Sequence, residues 1–238
     1  MNDFRNKVVM ITGASGNLGG AVARAFYEVG ASLVLVDRHL DLLEQAFPDL
    51  IDKPDCLLAN SADLTQADDV EAVVAQAIDR FGRIDVLVHT VGGFRAGTPL
   101  HETPLDTLEF MLNLNARTVF TTNQAVISYM IRQGSGKIIN LAARPGLQGR
   151  PNMAAYSASK AAVIRLTESA AAELKFDGIN VNCVLPGTID TPQNREAMPG
   201  ENFSRWVKPE SLADVIVFLA SDGARDISGA AIPVYGRS

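Results

Sequence analysis

The chain has 238 residues, 47% hydrophobic and 20% charged, enough apolar material for one sizeable core. Its 21 Lys and Arg face 27 Asp and Glu, a net charge of −6. That balance argues against a basic footprint for nucleic acid or an anionic membrane surface. Short β-branched runs alternate with longer helical patterns along the whole length. Residues 7–12 (KVVMIT) read as a buried strand, followed by a glycine-rich turn and a helix over 18–29 that stops at Gly30. A second strand covers 32–36, a helix 40–47, a third strand 55–59 and a helix 67–81 that ends at Gly82. A fourth strand at 86–89 leads to one long helix over 106–132, then to a strand at 137–141 and a helix over 154–176. A strand at 180–184, a helix at 210–221 and a last strand at 231–234 complete the series. Strands that alternate with helices pair in parallel through right-handed crossovers, so the expected fold is α/β, a Rossmann-type doubly wound parallel sheet. No linker or internal repeat divides it, and residues 1–238 are expected to form a single domain.

Three histidines (His39, His89, His101) lack metal-ligand spacing, and Cys56 and Cys183 lack a CxxC or metal pattern. The expectation is no metal, two reduced thiols and no catalytic histidine. Asp3, Arg5 and Lys7 interrupt any apolar opening run, and no stretch reaches the ~20 apolar residues a membrane helix needs. A cytoplasmic protein without a membrane segment is expected.

Between the first strand and helix lies Thr12-Gly13-Ala14-Ser15-Gly16-Asn17-Leu18-Gly19. Glycines there let the backbone approach a pyrophosphate, and the helix N-terminus offers N–H groups to the anion. Gly13, Ser15, Gly16, Asn17 and Leu18 are therefore candidate cofactor residues. Asp37 ends the second strand, where a carboxylate bonds both adenosine ribose hydroxyls and repels a 2′-phosphate. NAD(H) is favoured over NADP(H), although Arg38 beside it is a guanidinium that can pair with a phosphate. Asp63 and Leu64, after the third strand, are placed to border the adenine.

Tyr156-Ser157-Ala158-Ser159-Lys160 opens a helix, so a spacing of four puts the phenol and the ammonium on one face. Free tyrosine titrates near ~10, and a neighbouring ammonium favours the phenolate and lowers that value. Tyr156 and Lys160 are the candidate catalytic pair, with the lysine also able to hold the nicotinamide ribose.

These features resemble the short-chain dehydrogenase/reductase family over essentially the whole chain. TGASGNLG is similar to the family's TG-x-x-x-G-x-G turn, with Asn17 where glycine is usual. Asp85 and Leu87-Val88 match the strand before the family's NNAG motif, which is altered here to His89-Thr90-Val91-Gly92. Asn115 falls on the family's active-site asparagine, which supports a water linked to the lysine. Asn182-Cys183-Val184-Leu185-Pro186-Gly187 and Thr191 match its N-x-V-x-P-G-x-x-x-T segment. The resemblance implies that Gly92, Pro186, Gly187, Ile189 and Thr191 touch the cofactor, Ile189 and Thr191 at its carboxamide. It also implies a catalytic serine thirteen residues before the tyrosine, and that position is Ala143. Losing such an oxyanion donor costs on the order of 2.7–4 kcal/mol of transition-state stabilisation.

A second, partial resemblance is to dihydropteridine reductase. It rests on Asp190-Thr191-Pro192-x-Asn194-Arg195-x-x-Met198-Pro199-x-x-x-Phe203-x-x-Trp206, on the GxxGxxG spacing and on Gly92-Gly93-Phe94. That family also lacks the serine and reduces a quinonoid pterin with NADH, a conjugated imine-type acceptor with no alkoxide to stabilise. The resemblance implies a substrate lid over about 192–209, closing with Trp206 over a small-molecule substrate. Phe94, Ala143 and Arg144 are candidate substrate residues, and Arg150 flanks the same mouth. Three readings stand: an imine-type reductase, a general carbonyl reductase or alcohol dehydrogenase with a substitute oxyanion donor, and a catalytically weak NAD-binding sensor. Small residues along the Tyr156 helix (Ala161, Ala162, Ser169 to Ala172) and the family resemblance imply a homotetramer or homodimer.

Overall fold

The strand segments are runs of Val, Ile and Leu with almost no charge, which suits a sheet covered on both faces. In the computed structural model, which describes residues 3–59 and 62–237, seven of them pair in parallel. They are β1 (Val8–Thr12), β2 (Ser32–Val36), β3 (Cys56–Leu58), β4 (Val86–His89), β5 (Gly136–Leu141), β6 (Ile179–Pro186) and β7 (Ala231–Val234). Their order is β3-β2-β1-β4-β5-β6-β7. The order reverses direction between β1 and β4, whose last residues, Thr12 and His89, are register partners. Ligands of open α/β sheets bind in the crevice at such a reversal, beyond the carboxyl ends of the strands.

Period-two alternation divides the core into two layers. Val9, Ile11, Leu33 and Leu35 face α1 (Asn17–Glu28), α2 (Leu40–Ala46) and α8 (Pro209–Ala220), where Val22, Phe26, Leu43, Leu212 and Ile216 meet them. Val8, Met10, Val34 and Leu87 face the other way, onto Val70, Val73 and Val74 of α3 (Ala67–Phe81) and Val126 and Met130 of α5 (Thr118–Gln133). On the same side α6 (Ala154–Glu173) places Val163 and Ile164 over Ala142 and Leu185.

Two elements differ from the expectation. The single helix expected over 106–132 is α4 (Leu105–Met111), a π-helical turn (Leu112–Arg117) and then α5. A π turn holds one extra residue per hydrogen-bonded ring, and apolar periodicity does not register it. The lid region contains a short helix, α7 (Pro192–Ala197), begun by Pro192 and capped by the Thr191 hydroxyl, which accepts from the Asn194 N–H at 3.2 Å.

Candidate active site

The dinucleotide turn is built by close approach. A Cβ on Gly19 would lie 2.1 Å from the Gly13 carbonyl oxygen, so only glycine lets α1 start this near β1. Gly16 precedes the helix, and no side chain caps it, which leaves the first-turn N–H groups for an anion. Ser15 is held to Asp37: its N–H and hydroxyl both donate to Oδ2, at 3.2 and 2.7 Å. Asp37 thus sits half-buried at the end of β2, where the adenosine ribose is expected. Arg38 is exposed, its guanidinium 3.4 Å from the Asp63 carboxylate. Asp63 closes a turn by accepting from the Thr65 N–H and hydroxyl, bonds that hold its carboxyl below the usual carboxylate range. Leu64 is buried beside it and its carbonyl accepts from Thr121. Asn17, the residue that departs from the glycine pattern, donates to Gln193 at 2.9 Å and so ties the turn to α7.

The altered segment after β4 keeps its grip on this turn. Thr90 donates to the Thr12 carbonyl through both its N–H and its hydroxyl, at 3.2 and 2.7 Å. Gly92 is the second crowded glycine: a Cβ there would lie 3.0 Å from both Lys160 Nζ and Asn115 Oδ1. At Asn115 the side chain accepts from Gly93 N–H (2.9 Å) and donates to the Gly93 carbonyl (3.1 Å) and to Ser159 Oγ (3.0 Å). The Ser159 hydroxyl in turn donates to the Tyr156 carbonyl at 2.8 Å. One asparagine therefore fixes the β4 loop and the first turn of α6 together.

Lys160 is buried and its ammonium donates to the Leu141 carbonyl at 2.9 Å. Burial pushes it down to about 8. Tyr156 moves against the expectation drawn from its spacing to Lys160: burial raises the phenol to about 12. Desolvation alone drives this rise, and the Lys160 ammonium is directed at Leu141 instead. The Phe94 ring meets Tyr156 edge-on, centroids 4.8 Å apart at 83°, while 60% exposed itself. Beside them a cleft of about 400 Å³ is lined by Phe94, Arg95, Thr98, Pro104, Met153 and Ala155, among others.

Ala143 is 5% exposed and presents only a methyl group. The turn that follows it packs on α6, since a Cβ on Gly146 would lie 2.7 Å from the Lys160 carbonyl carbon. Arg144 is exposed, with its guanidinium 4.9 Å from the centre of the Tyr235 ring, and Arg150 is exposed too. Past β6, Gly187 N–H bonds the Val234 carbonyl, and Ile189 bridges to Val207. Thr191 caps α7 through an oxygen lone pair, a bond that does not use its hydroxyl proton. Trp206 is 8% exposed and packs on Phe203 at 4.7 Å, both within the segment 192–209. Among the described residues no group of three or more His, Cys, Asp or Glu is placed to hold a metal ion, and no helix is long and apolar enough to cross a membrane.

The crowded glycine turn, the uncapped start of α1, the Asp37 carboxylate and the cradle at Gly92 fit a nicotinamide dinucleotide laid across the sheet reversal. Proteins of known kind agree with that class. Residues 7–202 match the family model for short chain dehydrogenase. A 3-oxoacyl-(acyl-carrier-protein) reductase from Thermotoga maritima is 35% identical over 98% of this chain and 98% of its own. A cis-4-hydroxycyclohexanecarboxylate dehydrogenase from Sinomonas cyclohexanicum is 34% identical over 98% and 96%. Among solved structures, an NAD+-bound xylitol dehydrogenase superposes with a TM-score of 0.90 at 30% identity, covering 98% of this chain and 99% of that one. Levodione reductase gives 0.91 at 31% identity over 98% and 97%. The protein is thus an oxidoreductase with a single Rossmann-type dinucleotide fold. It belongs to the short-chain dehydrogenase family and is NAD(P)-dependent.

Proposed function

We propose that the enzyme reduces a small imine-type or conjugated acceptor with NADH, of the quinonoid dihydropteridine kind, and that Tyr156 supplies the proton. The observation that carries this reading is the buried methyl of Ala143 at the family's serine position. A ketone reduced to an alkoxide needs a hydrogen-bond donor at the oxygen, whereas a ring nitrogen that accepts a proton does not. The Tyr156 phenol carries its proton at neutral pH and, with burial raising it to about 12 in the chain alone, a bound cofactor and acceptor would have to ease its transfer. Phe94, edge-on to Tyr156 and exposed, offers a ring for a flat acceptor to pack on. A bound cofactor would supply the hydride; Lys160 would hold the nicotinamide ribose, Asn115 would support a water linked to the lysine, and Gly13, Ser15, Gly16, Asn17 and Leu18 would border the pyrophosphate. Ile189 and Thr191 would grip the carboxamide, with Pro186 and Gly187 also against the cofactor. Asp37 favours NADH by repelling a 2′-phosphate, while Arg38 makes an exposed ion pair with Asp63.

The test is steady-state NADH oxidation with quinonoid dihydropterin against a panel of ketones. The pterin is expected to turn over faster, and Ala143→Ser to raise ketone turnover while lowering pterin turnover. Faster ketone turnover by the unmodified enzyme would sink the imine-type reading. The relatives named for alcohols and oxo compounds favour a second reading, a general carbonyl reductase that recruits another donor. It predicts that Ala143→Ser leaves ketone turnover unchanged. We also propose a homotetramer or homodimer, with the exposed Ser169 and Ala172 side of α6 as the contact; light scattering that returns a monomer mass excludes it.

A further inference from the structure

We infer that His89 is a positioning residue that ties the end of β1, where the dinucleotide turn begins, to the π-helical turn that carries Asn115. The inference rests on the cofactor turn and the Tyr156–Lys160–Asn115 site of the proposed function, and on nothing about the acceptor. His89 is the last residue of β4, fully buried at the reversal of the sheet between Thr12 of β1 and Asn140 of β5. Its Nδ1 lies 3.0 Å from Thr12 Oγ1, and its Nε2 lies 3.1 Å from Thr118 Oγ1 at the start of α5. The Thr118 hydroxyl is also 2.8 Å from the Leu114 carbonyl.

These contacts fix the direction of the bonds at Thr118. A carbonyl oxygen only accepts, so the single Thr118 proton goes to Leu114 and Thr118 Oγ1 accepts from Nε2–H. In the neutral ring Nδ1 then carries a lone pair and accepts from the Thr12 hydroxyl. An imidazolium would reverse that last bond, but full burial and the nearby Lys160 ammonium push His89 down to about 3, so the ring is neutral. The chain therefore runs Thr12, His89, Thr118, Leu114 carbonyl, and it ends one residue before Asn115. Asn115 holds Gly93 and, through Ser159, the Tyr156 turn. An imidazole that spans two hydroxyls thus sets the catalytic asparagine against the dinucleotide turn.

The test compares His89→Leu, Thr118→Val, Thr118→Ser and the double variant His89→Leu/Thr118→Val. Three readouts are taken: amide hydrogen exchange at Gly93 and over residues 112–118, NADH affinity by fluorescence titration, and turnover per NADH-binding site. Thr118→Val keeps the shape of the side chain and deletes the hydroxyl, and Thr118→Ser restores it. Gly93 exchange is expected to quicken about tenfold or more in His89→Leu and Thr118→Val, as local opening becomes easier, and to stay within about twofold of normal in Thr118→Ser. Turnover per site is expected to fall about tenfold in the first two while NADH affinity changes less than about threefold, a split that general destabilisation does not produce. The double variant is expected within about twofold of the worse single one, because both break one chain.

Unchanged Gly93 exchange in Thr118→Val overturns the inference. So does turnover per site within about twofold of the unmodified enzyme, a Thr118→Ser variant as impaired as Thr118→Val, or single effects that multiply in the double. If His89→Leu does not fold, the Thr118→Val and Thr118→Ser pair decides alone. If no acceptor is reduced at all, the proposed function fails, and the exchange comparison still decides the role of His89.

Discussion

Tyr156 and Lys160 were readable as a pair because a spacing of four has only one meaning on a helix. Their protonation was not readable, because it depends on burial that no local spacing encodes. The phenol rises to about 12 and the ammonium falls to about 8, both through loss of water. Ala143 was readable as a missing donor by its distance from the tyrosine alone. What lies around it needed the fold: Arg144 stacks on Tyr235, and Lys160 is committed to the Leu141 carbonyl. Removing the proposed proton donor in Tyr156→Phe should lower turnover by about 10²–10⁴ while NADH titrations stay near normal. A catalytically weak sensor would instead show no loss. On the proposed role of Asp37 at the adenosine ribose, Asp37→Ala should narrow a preference for NADH over NADPH by about tenfold or more in kcat/KM, through loss of a carboxylate that repels the 2′-phosphate. It should also loosen Ser15, whose N–H and hydroxyl both rest on that carboxylate.

Among the elements, β2, α3, β4 and β7 fall on the expected residues because each is bounded by a turn signal or a clean change of period. The π-helical turn between α4 and α5 was invisible, and it is the element that matters most to the site. The contacts it makes are tertiary: Asn115 bonds Gly93 and Ser159, partners 22 and 44 positions away in sequence. The lid helix α7 had its signal in Thr191-Pro192, a cap followed by proline, but six residues are too few for an apolar period. The first turn is the most constrained element. In Gly19→Ala the new methyl group would sit 2.1 Å from the Gly13 carbonyl oxygen, and backbone must move to admit it. Such overpacking costs about 1–3 kcal/mol, or a fall in Tm of about 2–4 °C per kcal/mol in a domain of this size. NADH affinity should fall as well, because the displaced backbone is the surface meant for the pyrophosphate. A Tm and an NADH affinity both equal to those of the unmodified protein would show that α1 tolerates the shift.

At the scale of the molecule, the sheet reversal gathers buried ionisable groups into one crevice, and their cost should appear in the stability of the whole protein. Strand–helix alternation implied the parallel sheet, but the burial of Lys160, Tyr156 and His89 follows from α5 and α6 closing over that crevice. Lys160 falls from an ordinary 10.5 to about 8 in the folded chain. Below pH 8 both the folded and the unfolded chain carry its proton, so folding bears the full cost of burying the ammonium. Between about 8 and 10.5 the folded chain has released the proton and the unfolded chain has not, so stability rises with pH. The slope approaches about 1.4 kcal/mol per pH unit for one proton. Tyr156 opposes this only above pH 10, where the unfolded phenol ionises and the folded one, at about 12, does not. Cys56 and Cys183 oppose it from about pH 9, because burial raises their thiols from 9.0 to about 12 and about 11 and only the unfolded chain ionises them there, so the lysine is isolated by comparison with a variant that lacks it. Lys137, which burial also pushes down, is common to both proteins in a comparison with Lys160→Met and cancels from the difference. Urea unfolding without nucleotide at pH 7.5, 8.5 and 9.5 should find Lys160→Met the more stable protein at the lowest pH, with its advantage shrinking at each step. A difference that stays constant across the series would mean that the ammonium is solvated in the folded chain, and that the site does not hold Lys160 out of water.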